Sequence, residues 1–265
     1  MRRALIVLGA IAASVLAVAP AGGEHEARAP RAEFRILLYS EPDSFHHAVG
    51  SVPAAEAAIE ELGARHRFGV AARTSPVVFR ARVLRRYDAV VFLSPDGEIM
   101  NDDRQVAFER FIQGGGGFVG VHAASLAEAD WQFYVDLIGA RFVSHPPIQQ
   151  ATVRLDDRRH PSTERLPRPW VRTDEWYEFD RNPRGDVHVL ARVDESTYEG
   201  GGMGADHPIS WCQGFRGGRA WYTAMGHTPE SYSERGFRRH LLGGIRWAAG
   251  DAPGDCRLRQ RVHRT

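Results

Sequence analysis

None of the 265 residues is lysine; all 34 basic side chains are arginine. Schiff-base chemistry on a lysine amine and a Walker-type phosphate loop are thereby excluded. An excess of one charge is missing as well, since 33 acidic residues leave a formal net charge of +1. A nucleic-acid or membrane-surface partner would favour a concentrated basic surplus, so neither is expected. Cysteine occurs twice, at Cys212 and Cys256, and neither position is one where a nucleophile is expected. No H-E-x-x-H or C-x-x-C spacing exists, so no zinc motif is signalled directly. The apolar run from Leu5 to Val18 has fourteen residues, short of the about 20 needed to span a bilayer.

What is present is enough to fold. With 43% hydrophobic and 10% aromatic residues the chain can bury a core, and its length suits one large domain or two small ones. The N-terminus reads as a secretory signal over residues 1–21: Arg2 and Arg3, the apolar run, then the small-x-small site Ala19-Pro20-Ala21. Residues 22–33 read as a flexible mature N-terminus, 34–250 as the folded domain, and 251–265 as a basic C-terminal tail. A secreted or periplasmic location follows. In that oxidising setting Cys212 and Cys256 either pair, clipping the tail to the body, or remain a buried and an exposed free thiol.

Strand and helix signals alternate through the first half. Phe34 to Tyr39, Arg67 to Ala72, Tyr87 to Leu93 and Gly117 to Ala123 read as strands. Pro53 to Leu62, Asp102 to Ile112 and Trp131 to Ile138 carry apolar positions at helical spacing. This βαβα order predicts a parallel sheet covered by helices. Past Gly139 shorter strands dominate, at Gln150 to Leu155, His188 to Val193, Ile209 to Phe215 and Arg219 to Ala224. Phe237 to Ala249 closes the body as an amphipathic helix. The pattern Gly115-Gly-Gly-Phe-Val-Gly120 matches G-x-G-x-x-G, but these glycines enter a strand rather than open a helix, so no nucleotide cofactor is expected.

The chemistry-bearing candidates are histidines and one acidic stretch. His122 follows an apolar strand, at the carboxyl end where open α/β sheets bind ligands. His227 likewise sits just past the strand Arg219 to Ala224. His145, His160 and His207 each precede proline, which restricts them to extended or turn geometry. Asp174-Glu175-Trp176-Tyr177-Glu178 joins carboxylates to aromatics, the materials of a sugar-binding cleft and of general acid/base catalysis. A solvated acidic loop packed by Trp176 and Tyr177 explains the same stretch. His47, His122, His145 and His227 could be assembled by folding into a metal site.

In order along the chain, Phe45-His-His47, Gly114 to Ala124, Trp131 with Tyr134, and Gly139-Ala140 with Phe142 form a recurrent set. It continues through His145-Pro146, Gln149, His160-Pro161, Asp174-Glu175 with Tyr177, and Met203-Gly204 with Asp206-His207-Pro208 and Trp211. Gly218-Arg219, Tyr222, Gly226-His227-Thr228 and Trp247-Ala248 complete it. Over roughly Arg35 to Ala249 the sequence thereby resembles the ThuA-like (trehalose-utilisation) family. The resemblance implies a class I glutamine amidotransferase-like fold, a three-layer α/β/α sandwich with a flavodoxin-like parallel sheet and β-rich insertions in the second half. At the elbow where amidotransferases present a cysteine, this chain has His122; Ser125 stands three residues late. Without a thiolate there is no thioester route, so amidotransferase activity is not expected.

The same resemblance implies an enzyme acting on a disaccharide or its 3-keto derivative; that it is exported follows from the N-terminal segment and departs from the family's cytosolic use of trehalose. His122, with Glu175 or His227, would transfer protons directly or around a divalent metal (zinc, manganese or iron). His47, Asp174, Trp176, Tyr177, Asp206 and His207 would bind the small-molecule carbohydrate, with His47, His122, His145 and His227 as candidate metal ligands. A non-catalytic carbohydrate-binding protein and a metal-dependent hydrolase of another substrate class are the alternatives.

Overall fold

The structure is a computed structural model that describes residues 32–41 and 50–257. The expected signal segment, most of the expected flexible N-terminus, His47 and the end of the tail lie outside the described residues. The chain runs β1 (Arg35–Ser40), α1 (Ser51–His66), β2 (Gly69–Arg73), α2 (Ala81–Leu84), β3 (Ala89–Leu93), α3 (Asp102–Gln113), β4 (Gly117–Val121) and α4 (Gln132–Ile138). The strand-rich half follows: β5 (Phe142–Ser144), β6 (Gln149–Leu155), β7 (Trp170–Asp174), β8 (Glu178–Phe179), β9 (His188–Asp194), β10 (His207–Phe215) and β11 (Gly218–Thr223), before α5 (Arg235–Ala248).

Strands β3 and β4 are buried at every residue, and β1 at all but Arg35. Such continuous apolar runs belong in a sheet covered on both faces. Helix α3 begins where the Asn101 side chain accepts from the Arg104 amide at 3.3 Å, with Asp102 and Asp103 in the first turn opposite the helix dipole. Helices α1 and α5 pack together on one face. The other face carries an aromatic stack of Phe92, Phe108, Phe118 and Tyr134, with α2 leaning on α3. Among the described residues no helix is long and apolar enough to cross a membrane.

The main sheet has nine strands in the order β2-β1-β3-β4-β11-β10-β9-β6-β7. From β2 to β11 neighbours are parallel; from β11 to β7 they are antiparallel. β5 and β8 form a separate two-stranded ladder. The expected α/β sandwich with a β-rich second half is what forms. Besides the short elements α2, β5 and β8, which the sequence reading did not include, two details near the site differ from it. The strand expected over Gly117 to Ala123 stops at Val121, because His122 turns out of the extended region. β7 was not expected, because its inward face is Trp170, Arg172 and Asp174, and two charges break the apolar alternation.

Close approach of α5 to the sheet depends on glycine. A Cβ at Gly117 would lie 2.2 Å from the Ala248 carbonyl, and one at Gly244 would lie 2.4 Å from the Trp221 ring. Cys212 on β10 is disulfide-bonded to Cys256 across 44 residues, which decides between the two cysteine readings in favour of the clip. Closing a loop of that length stabilises by about 4 kcal/mol in the chain-entropy account.

Two buried histidines make the fold acid-sensitive. His240 stands between the Ser162 carbonyl at 2.9 Å and the Ser210 hydroxyl at 3.1 Å. Burial pushes its pKa from 6.5 to about 3, and that of His160 from 6.5 to about 4. The unfolded chain protonates both first, so their contribution is complete above 6.5 and is lost as pH falls toward 4 and below. Urea midpoints are expected to drop over that interval, and His240→Gln to flatten the slope. An unchanged slope in the variant would assign the acid sensitivity to other groups.

Candidate functional site

β3, β4 and β11 end in register, with Leu93, Val121 and Thr223 side by side. The residues just past β3 and β4 turn sharply: Ser94 has φ 50° and His122 φ 51°. Left-handed backbone at non-glycine residues is uncommon, costs about 1–3 kcal/mol and is held by its surroundings. At His122 the holding group is Tyr222, whose hydroxyl donates to the His122 carbonyl at 2.9 Å and lies 2.9 Å from Ser125 Oγ. The ring is fixed too: Nδ1 donates to the Ala224 carbonyl at 2.7 Å. In the neutral ring Nε2 is therefore the acceptor.

Three further side chains converge on that nitrogen. The Tyr177 hydroxyl is 2.9 Å away and His227 Nδ1, beyond β11, is 3.1 Å away. Glu175 Oε2, beyond β7, lies 3.4 Å from His122 Nε2 and 3.2 Å from His227 Nδ1. The other Glu175 oxygen pairs with His145 Nδ1 at 3.2 Å. The side chain of His122 is wholly buried and that of Glu175 is 7% exposed, whereas His227 and His145 are 20% and 40% exposed. An incoming molecule therefore meets His145 and His227 first.

One carboxylate sets the spacing of this cluster. Asp174 Oδ1 accepts from the amides of Glu175 and His227, each at 3.0 Å. Its Oδ2 accepts from the Gly226 amide at 2.9 Å and from Arg172 Nη2 at 2.8 Å. The Arg172 guanidinium is buried, bonded to Ser231 Oγ and stacked 4.4 Å from the Phe237 ring centre. Burial of the pair follows from strand parity, since Trp170, Arg172 and Asp174 share the inward face of β7. Below Tyr177, His207 Nε2 donates to its carbonyl at 2.8 Å and Nδ1 pairs with Glu195 at 2.7 Å.

Burial would raise the Glu175 carboxyl, but the His122 and His227 rings beside it outweigh that and hold the group well below the usual carboxylate range. Burial likewise opposes charge on His227, and Glu175, helped by Asp174, overcomes it and moves that pKa above 6.5. Burial pushes the Tyr177 phenol well up, so it stays protonated.

Of the residues expected from sequence, His122, Glu175, His227, Tyr177 and His145 come together. Three expected substrate contacts are corrected. Asp174 is fully buried with both oxygens committed to backbone amides and Arg172. Trp176 is 1% exposed, with its indole on the Gln149 carbonyl and its ring near Tyr198, so its face cannot stack on a sugar. His207 is buried beneath Tyr177. Asp206 is held by Arg184 through two bonds of 2.5 and 2.7 Å, and its side chain stays 44% exposed. The His122 ring has no exposed surface and meets only the groups around it. Arg172 was missed; the alternation Trp170-x-Arg172-x-Asp174 is the signal that finds it.

His122 Nε2, His227 Nδ1 and Glu175 Oε2 form a nearly equilateral triangle with edges of 3.1, 3.2 and 3.4 Å. The edge of a tetrahedron with ligand bonds of about 2.0–2.1 Å is about 3.3 Å, so this N₂O set fits a divalent cation such as zinc. The same three groups also form a charged hydrogen-bond relay suited to proton transfer.

A family model described as trehalose utilisation, ThuA, matches residues 35–248. The solved structure of a ThuA-like protein from Bacteroides uniformis superposes with a TM-score of 0.73 at 25% identity, over 87% of this chain and 95% of that one. A ThuA-like protein from Parabacteroides merdae gives 0.69 at 20% identity, over 87% and 93%, a likeness of fold. A β-galactosidase from Bacillus circulans sp. alkalophilus shares the fold alone, with a TM-score of 0.53 at 12% identity over 83% of this chain and 31% of that enzyme. Among curated proteins the sequence has no match.

Asp174→Ala would leave three backbone amides without their acceptor in the interior and the buried Arg172 charge with only the longer contact to Glu234 at 3.4 Å. A loss of about 3–5 kcal/mol in denaturant unfolding is expected. A loss below about 1 kcal/mol, the scale of an exposed ion pair, would mean that the carboxylate does not organise the site.

Proposed function

The chain belongs to the ThuA (trehalose-utilisation) family, and on that premise we propose that it is an exported enzyme acting on a disaccharide or its 3-keto derivative. The observation that supports this reading best is the convergence of His122, His227 and Glu175 at the carboxyl edge of the sheet. The Cys212–Cys256 disulfide is in keeping with an oxidising compartment. The elbow residue is an imidazole, so the acyl-thioester chemistry of amidotransferases has no nucleophile here.

In a 3-keto sugar the hydrogen beside the carbonyl is acidified, and its removal lets the glycosidic oxygen leave from the adjacent anomeric carbon. His145 and His227 are the partly exposed bases and acids for these two transfers. Glu175 bonds both and keeps their rings in place, while the raised pKa of His227 suits it to donate a proton to an oxygen. His122 and Tyr177 form the buried back wall that orients them. A divalent cation held by His122, His227 and Glu175 would polarise a sugar carbonyl or hydroxyl. Burial of Trp176 removes the stacking surface that a purely carbohydrate-binding role would use.

The test pairs elemental analysis of the purified protein with turnover of trehalose and of its 3-keto derivative. His227→Gln is expected to cost about 10²-fold or more in turnover with folding intact. Near-stoichiometric zinc, manganese or iron that Glu175→Gln loses would support the metal-assisted form. Unaltered turnover in His227→Gln would refute the assignment of the site. His122→Asn, which keeps a residue tolerant of left-handed backbone, separates loss of the imidazole from strain at the elbow.

A further inference from the structure

A cavity on the face covered by α1 and α5 shares no residue with the site above. It encloses about 690 Å³, within the range of about 300–1,000 Å³ that holds a small organic ligand. Its walls are the last turns of α1, the polar face of α5, and the segment 161–166 between β6 and β7. That segment lies close on α5 because position 243 is glycine; a Cβ there would stand 2.3 Å from the Pro161 carbonyl oxygen. His240 Nδ1 donates to the Ser162 carbonyl at 2.9 Å, and Arg239 Nη1 to the Arg165 carbonyl at 3.3 Å. The walls are therefore fixed before anything enters.

Six arginines line this hollow. Arg235, Arg238, Arg239 and Arg246 share one stripe of α5, Arg65 comes from α1, and Arg165 from the connecting segment. Glu61 stands between Arg65 at 2.6 Å and Arg238 at 2.7 Å. Arg165 pairs with Glu164 at 3.2 Å and Arg246 with Asp251 at 2.5 Å. Six guanidinium groups against these three carboxylates leave a local surplus of three charges, in a chain whose formal net charge is +1. Arg235 and Arg239 have no carboxylate partner among the described residues. Four places apart on one helix they repel each other, a cost that a bound anion removes. His66 in the same wall registers the field: burial, then Arg246 and Arg65, hold its pKa below the ordinary 6.5.

Between the charges the lining is apolar, from Leu62, Leu166 and Leu242. A bare inorganic ion has no use for leucines, whereas the carbon frame of an organic anion does. Guanidinium forks match phosphoryl and carboxylate oxygens two at a time. We infer that this cavity is a second ligand site, for a small organic anion carrying two or more phosphoryl or carboxylate groups. Arg235 and Arg239 grip the anion, since no carboxylate of the chain competes for their donors. The four arginines that share Glu61, Glu164 and Asp251 supply the field that draws it in.

The experiment is calorimetric titration of the full chain at low ionic strength, with fructose 1,6-bisphosphate as the phosphoryl probe and citrate as the carboxylate probe. At least one should saturate near one equivalent, the tighter naming the oxyanion, and added salt should weaken it. Arg235→Gln and Arg239→Gln, which leave no carboxylate unpaired, should each weaken binding about tenfold, with circular dichroism confirming the fold. Arg82→Gln, an exposed arginine on α2 at the other face of the sheet, should change nothing. His227→Gln should change nothing either, so failure of this site and failure of the candidate site are distinguishable. The inference is overturned by no saturable binding of either probe, by an equal loss in Arg82→Gln, or by unchanged affinity in the folded Arg235→Gln and Arg239→Gln variants. Loss of binding in His227→Gln would place the anion at the other site and overturn it too.

Discussion

The candidate site depends on a single buried carboxylate. Asp174 ends the last strand of the sheet, four places from β11, yet it accepts the amides of Gly226 and His227 in the loop beyond β11. The antiparallel half of the sheet therefore curls far enough for its edge to close on the parallel half. An isolated carboxylate could not be buried there; Arg172 supplies the counter-charge, and Phe237 and Trp170 supply rings on which the guanidinium lies. Because the same carboxylate holds the Glu175 amide, the spacing of Glu175 and His227 is fixed by backbone rather than by flexible side chains. That is the rigidity a catalytic or ligating constellation requires.

The elbow shows how one scaffold can change its chemistry. A sharp turn after a central strand exposes one side chain at the sheet edge, and its strain is met by hydrogen bonds from Tyr222 and from the ring itself. Here the residue at the turn is drawn inward, beneath Tyr177, instead of projecting outward as a nucleophile must. The shared carboxylate of Glu175 links it to the more exposed imidazoles of His227 and His145. Fold and chemistry are therefore separable, which agrees with the breadth of proteins that share this architecture.

Much of the fold was legible because central strands of a covered sheet are unbroken apolar runs, as in β3 and β4. The helices α1 and α3 showed their buried faces in the same way. β7 was not legible, since a buried ion pair looks in sequence like solvated charge. The adjacent carboxylates Asp174 and Glu175 are chemically alike, and only strand parity separates them: Asp174 is in phase with Trp170 and Arg172, Glu175 is not. Trp176 misled for a related reason, because an indole beside carboxylates suits a sugar cleft and a protein core equally well. That His122 and His227 meet across 105 residues is a property of sheet order, to which local pattern is blind.

The convergence of positions 122, 175 and 227 also has a consequence for cooperativity. These residues follow β4, β7 and β11, so the constellation exists only when the parallel and antiparallel halves have both formed and closed on each other. Whatever binds all three groups acts as a staple between remote parts of the chain and has no comparable partner in the unfolded ensemble. Its binding energy adds to folding stability by mass action, by about 2.7 kcal/mol at a hundredfold excess over its dissociation constant. A ligand spanning the three groups would thus also be a component of the fold, locking the two halves of the sheet together.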